Sequence, residues 1–136
     1  MGVEFDEDVA TSRSVIWVPC KGKIFDSSLI APWHGFVWMN PPYGGRNGIR
    51  PWLEKFVEHG NGVCLVPDRT SAPWWQYIAC ASDAVLFVSP KIQFLRPSGK
   101  PGPSPANGST LIAIGKKGVK ALERGCANGL GISWCV

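Results

Sequence analysis

Histidine is scarce in this 136-residue chain: His34 and His59 are the only two, and the five cysteines include no C-x-x-C pair. A zinc or iron–sulfur site needs such ligands gathered at short spacing, so no metal centre is expected. No run approaches the roughly 18 apolar residues of a membrane span. The start, "MGVEFDEDVA", is acidic and lacks the apolar core of a secretion signal, and Asp6 stands where a myristoylation motif wants Ser or Thr. Repeats and linkers are missing as well. These absences leave one domain spanning residues 1–136, soluble and intracellular, with no membrane partner. Cys64 and Cys80 sit in apolar stretches and read as reduced core thiols.

What the chain does contain is a core. Apolar residues make up 45% of it, enough to exclude wholesale disorder, and seven are tryptophans, mostly expected in packing. The net charge of +4 is a mild basic bias that permits a polyanionic partner. Five short segments read as strands: "SVIWV" (14–18), "GFVWM" (35–39), "GVCLV" (62–66), "AVLFV" (84–88) and "TLIAI" (110–114). Several are apolar at successive positions, which fits strands covered on both faces. "KIQFL" (91–95) reads as the return arm of a hairpin with "AVLFV".

Ile49, Trp52, Leu53, Phe56 and Val57 recur at helical spacing, with Pro51 in the first turn and Gly60 as the stop, predicting a helix over 49–59. A second helix is predicted after Ser71 with Pro73 in its first turn, and a third over 116–125. The alternation of strand and helix over 35–88 implies an α/β domain with parallel strands and helices on the faces. In such sheets ligands bind beyond the carboxyl ends of the strands. The Pro- and Gly-rich stretch 96–110 is a long loop, which at that length points to a functional role or to disorder.

One corner lies at a strand's carboxyl end. "WMNPPYGG" (38–45) leaves an apolar strand through an amide, two prolines and a tyrosine. Asn40 brings a side-chain carbonyl and an amide donor. Pro41 and Pro42 fix φ and push the preceding residue into an extended conformation. Their carbonyls accept hydrogen bonds with no neighbouring N–H to compete, and Tyr43 supplies a flat face. Two acceptors and a stacking plate suit the exocyclic amino group of a nucleobase. They would favour a more tetrahedral, more nucleophilic nitrogen through preorganised dipoles and positioning, without a strong base.

Asn-Pro-Pro-Tyr resembles the [D/N/S]-P-P-[Y/F/W] motif of S-adenosylmethionine-dependent amino-methyltransferases. More narrowly, the chain resembles the phage-type (Dam-like) DNA N-6-adenine methyltransferases over most of its length. "WHGFVWMNPPYGG" followed by "IRPWLEKF", then "GNGVCLVPDRTSAPWWQ", "DAVLFVSPKIQF" and "GPSPANGSTLIAIG" are similar to successive segments of that family. The resemblance implies a single compact Rossmann-like methyltransferase domain, short at its N-terminus. Its sheet would be mostly parallel, with helices on both faces and an antiparallel C-terminal hairpin. It implies S-adenosylmethionine as cofactor, DNA as partner, and methyl transfer to the amino nitrogen of adenine in the cytoplasm of a bacterial host, encoded by phage or prophage.

Carried over, Asn40, Pro41, Pro42 and Tyr43 would be catalytic. "FDEDVATS" is similar to the family's cofactor segment and places Asp8, Val9 and Ala10 beside the cofactor with Asn40. "FDSSLIAPW" places Asp26 near its adenine moiety. Tyr43, Gly44, Arg69, Trp74 and Lys91 would meet the substrate, Lys91 standing where the family has arginine. Two other readings stay open: transfer to an RNA or protein nitrogen, and an inactive or partner-dependent relative that binds DNA. Completion of a shortened sheet by a second copy leaves a homodimer open.

Overall fold

The computed structural model describes residues 1–10, 19–23, 29–42, 48–96 and 98–135. Among these, seven strands form one sheet: β1 (Phe5–Asp8), β2 (Cys20–Lys23), β3 (Val37–Met39), β4 (Gly62–Pro67), β5 (Ala84–Val88), β6 (Ser109–Ile114) and β7 (Gly131–Cys135). Three helices intervene: α1 (Arg50–His59), α2 (Pro73–Ala81) and α3 (Lys116–Ala127). The order across the sheet is β2-β1-β3-β4-β6-β5-β7.

The expected α/β class holds, but the sheet is not mostly parallel. β2/β1, β1/β3 and β3/β4 pair in parallel, while β4/β6, β6/β5 and β5/β7 pair antiparallel in longer ladders. β6 inserts between β4 and β5, so the strands on either side of α2 point the same way without touching. Strand propensity marks where a strand lies and says nothing about which edge it joins. The expected hairpin of "KIQFL" with β5 does not form. Residues 91–95 lie outside the strands, and Leu95 makes one bridge, to Pro101. The β5 edge that "KIQFL" would have used is taken by β7. The predicted strand 14–18 lies outside the described residues.

The helices form where periodicity placed them. In α1, Leu53 and Phe56 are sealed, and Gly60 caps the end at φ 74° with its N–H donating to the Phe56 carbonyl at 3.0 Å. Each such side chain contributes roughly 1.5–3 kcal/mol of burial. Trp75 and Ile78 of α2 join the same apolar layer as Val37, Met39, Cys64, Val66, Val85 and Ile112. α3 covers the opposite face, where Ala121 and Leu122 meet Leu65, Leu86 and Leu111. Helices therefore lie on both faces, α1 and α2 against α3. At the seam between the two kinds of pairing, a Cβ on Gly62 would meet the Val37 carbonyl oxygen at 2.5 Å, so only glycine lets β3 and β4 approach there.

Candidate functional site

β1 carries an irregularity that shapes the mouth of the sheet. The Asp6 N–H donates to the Phe36 carbonyl at 2.7 Å and the Val9 N–H to the Trp38 carbonyl at 3.0 Å. Three steps along β1 thus match two along β3, which is a bulge. Side chains four apart on a regular strand share a face. Here Phe5 packs in the layer under α3 and Val9 in the layer under α1 and α2. The bulge turns the strand over just before its end.

Asp8 is the last residue of that strand and is 5% exposed, which rules out a solvated terminal acid. Its Oδ1 accepts from the Ala10 N–H at 3.3 Å, stiffening the turn that follows. Asn40 leaves the neighbouring strand β3 half-buried, Pro41 is buried, and Pro42 faces solvent. The register pairs Asp8 with Trp38. The turn Asp8–Ala10 and the corner Asn40–Pro42 therefore sit side by side at two carboxyl ends. They also mark a reversal of strand order: from β1 the chain passes first to β2 on one side, then to β3 on the other. Such a reversal opens a crevice between adjacent strand ends in open α/β sheets. Tyr43, Gly44 and Asp26 lie outside the described residues.

The other expected substrate residues share this end of the sheet at a different height. Met39 is level with Cys64, and β4 continues to Pro67, three residues or about 10 Å farther out. Arg69, exposed, follows in a turn whose carbonyl accepts from the Ala72 N–H at 2.8 Å. Trp74 is half-buried in the first turn of α2 and packs on the core, so it presents only part of its ring. Lys91 is exposed beyond β5, its Nζ 3.5 Å from the Ala106 carbonyl oxygen.

Sequence reasoning missed the brace between these loops. Thr110 is fully buried, and its hydroxyl donates to Asp68 Oδ1 at 2.5 Å, while the Asp68 N–H donates to the Gly108 carbonyl at 2.9 Å. Only sheet pairing brings these partners together, and no local signal could have announced it.

Asp6 and Cys64 are shifted for different reasons. The Phe36 N–H, 2.7 Å from Asp6 Oδ2, holds that carboxyl below its ordinary value against partial burial, with Lys21 assisting from 3.6 Å. Complete burial pushes the Cys64 thiol far up, which removes it as a nucleophile. Cys80, expected in the core, is exposed on α2 because the apolar face of that helix passes through Trp75 and Ile78 instead. Among the described residues no three His, Cys, Asp or Glu side chains gather as a metal site, and no helix is long and apolar enough to cross a membrane. No protein-family model matches this chain, and no curated protein matches it in sequence.

Proposed function

We propose that this chain transfers a methyl group from S-adenosylmethionine to the exocyclic amino nitrogen of adenine in DNA, on a Rossmann-like frame. The observation that carries this reading is the juxtaposition of Asn40–Pro41–Pro42 with the Asp8–Ala10 turn at a reversal of strand order. The parallel run β2-β1-β3-β4 and the helices on both faces support the frame. The resemblance of the Asn-Pro-Pro-Tyr segment to amino-methyltransferases supports the chemistry.

The residues present fit the cofactor in kind. A buried carboxylate stiffens the turn Asp8–Ala10 beside the corner, so backbone groups at the end of β1 are held in fixed directions. Asp8, Val9 and Ala10 would hold the methionine part, and Asp26 the adenine part. When bound, S-adenosylmethionine supplies an electrophilic methyl group.

The chain's own residues prepare the acceptor. The Asn40 side-chain carbonyl and the Pro41 carbonyl take the two amino N–H bonds and favour a tetrahedral nitrogen. Pro42 holds the corner rigid, and Tyr43 stacks on the base. The adenine must leave the duplex to reach them, at a cost of a few kcal/mol that these contacts offset.

The test is tritiated methyl transfer to DNA, RNA and protein in parallel, with modified adenines mapped in plasmid DNA from expressing cells. Asn40→Ala should abolish transfer while heat of S-adenosylhomocysteine binding persists. Undiminished methylated adenine in that variant would overturn the assignment, and transfer to RNA or protein alone would replace the substrate.

A further inference from the structure

Beyond the Asn40 corner, the same edge of the sheet carries a cleft of about 220 Å³ lined by Pro67, Arg69, Phe94, Pro105, Asn107 and Ser109, among others. Drug-sized ligands occupy pockets of about 300–1,000 Å³, so this one takes a single flat ring system. Its lining offers an aromatic plate, a guanidinium and an amide. Among the described residues no acid lines it, and residues 89–108 hold Lys91, Arg96 and Lys100 without one Asp or Glu. Asp68, the nearest carboxylate along the chain, is engaged by Thr110.

Phe94 is held open from behind. Its carbonyl accepts from the Gly102 N–H at 3.0 Å, Gln93 Nε2 donates to the Gly102 carbonyl at 2.8 Å, and the Arg96 N–H donates to the Lys100 carbonyl at 2.8 Å. These bonds tie residues 93–96 to residues 99–102, with the cations Arg96 and Lys100 at the last of them. A Cβ on Gly102 would stand 2.9 Å from the Phe94 carbonyl oxygen, so the tie needs glycine. Phe94 itself is 41% exposed. A braced, open aromatic among cations is how single strands are gripped, base on ring and phosphate on charge. An apolar peptide would leave Arg69 and Asn107 without partners.

We propose that this cleft binds one unpaired nucleotide of single-stranded DNA, its base on Phe94 and its phosphate at Arg69, beside the nucleotide that enters the Asn40 corner. The choice of DNA rests on the methylation reading. The probe is a fluorescent ten-nucleotide oligothymidine, which has no adenine for Asn40, followed by anisotropy across a salt series. Phe94→Ala should weaken binding about five- to 150-fold, and Phe94→Trp should retain it. Arg69→Ala should flatten the slope of log affinity against log salt by about 0.7, whereas Phe94→Ala should leave the slope alone.

Equal affinity of wild type and Phe94→Ala, or equal loss in the Ala and Trp variants, overturns the cleft. Preference for oligouridine over oligothymidine overturns its assignment to DNA. If methyl transfer is absent yet these variants behave as stated, the cleft stands and the methylation reading falls. If transfer is normal and the Phe94 variants bind like wild type, the methylation reading stands and the cleft falls.

Discussion

On one side of β4 the strands run parallel, span three or four residues, and carry Asp6, Glu7, Asp8 and Lys21. On the other they run antiparallel in ladders of up to six pairs, and every residue of β6 is buried. The groups assigned to the cofactor and the base, Asp8 and Asn40 among them, belong to the shorter, more polar half. Fixed geometry at its mouth comes from a bulge, a carboxylate turn and two prolines. Both halves bury apolar side chains, Phe5, Phe36 and Met39 in the shorter and Leu86, Leu111 and Ile112 in the longer, and the longer half adds most of the backbone pairing. The longer ladders and the proposed chemistry thus lie on different sides of one strand.

The sharpest way to break that division is a cavity in the longer half. Ile112, fully buried and paired with both Cys64 and Val85, should cost about 2–5 kcal/mol as Ile112→Ala, read by denaturant unfolding. Asn40→Ala should cost only about 1 kcal/mol in the same measurement while removing transfer. Comparable losses from the two would erase the distinction.

A smaller effect is expected at the seam. Gly62→Ala forces a methyl against β3 and should cost about 1–3 kcal/mol. Because Asn40 directly follows the displaced strand, transfer should fall in the variant molecules that remain folded; unchanged activity would show that the corner does not depend on β3.

Acid titration comes next. Asp6 has a folded value below its unfolded one, so its contribution is complete above about pH 4 and disappears as pH falls through the folded value. Asp6→Asn should flatten the stability curve on its acid side, a change that circular dichroism at stepped pH would detect. An unchanged acid limb would remove Asp6 from the stitching of β1 to β3.

The smallest perturbation is thiol labelling at neutral pH. Exposed Cys80 and Cys135 should react within the mixing period, and Cys64 only on unfolding. Early labelling of Cys64 would mean that the β4 ladder opens more readily than its burial implies.

The same division explains what could be read in advance. The stripes of Leu53 and Phe56, or of Trp75 and Ile78, announce helices because burial and period coincide. "GVCLV", "AVLFV" and "TLIAI" announce strands because both faces are covered. "FDED" became a strand through pairing on both sides and "CKGK" through pairing at the sheet's edge, and neither has the composition of one. "GISWC" pairs with β5 although Ile132 and Trp134 stay exposed. "KIQFL" has the composition of a strand and pairs with its own loop at Leu95. The corner at Asn40 was legible because proline imposes backbone geometry locally. The Asp68–Thr110 brace, 42 residues apart, and the opening in front of Phe94 are products of topology alone.

The extra residue in β1 also makes the mouth adjustable by length, independently of side-chain identity. Deleting the residue between Asp6 and Asp8 would straighten the pairing with β3 but break the residue-for-residue register that β1 keeps with β2, and the residues that follow would change faces. The side chain now sunk beneath α1 and α2 would then face α3, and the carboxylate would leave its sheltered post. A one-codon deletion there should therefore do more harm than most substitutions nearby.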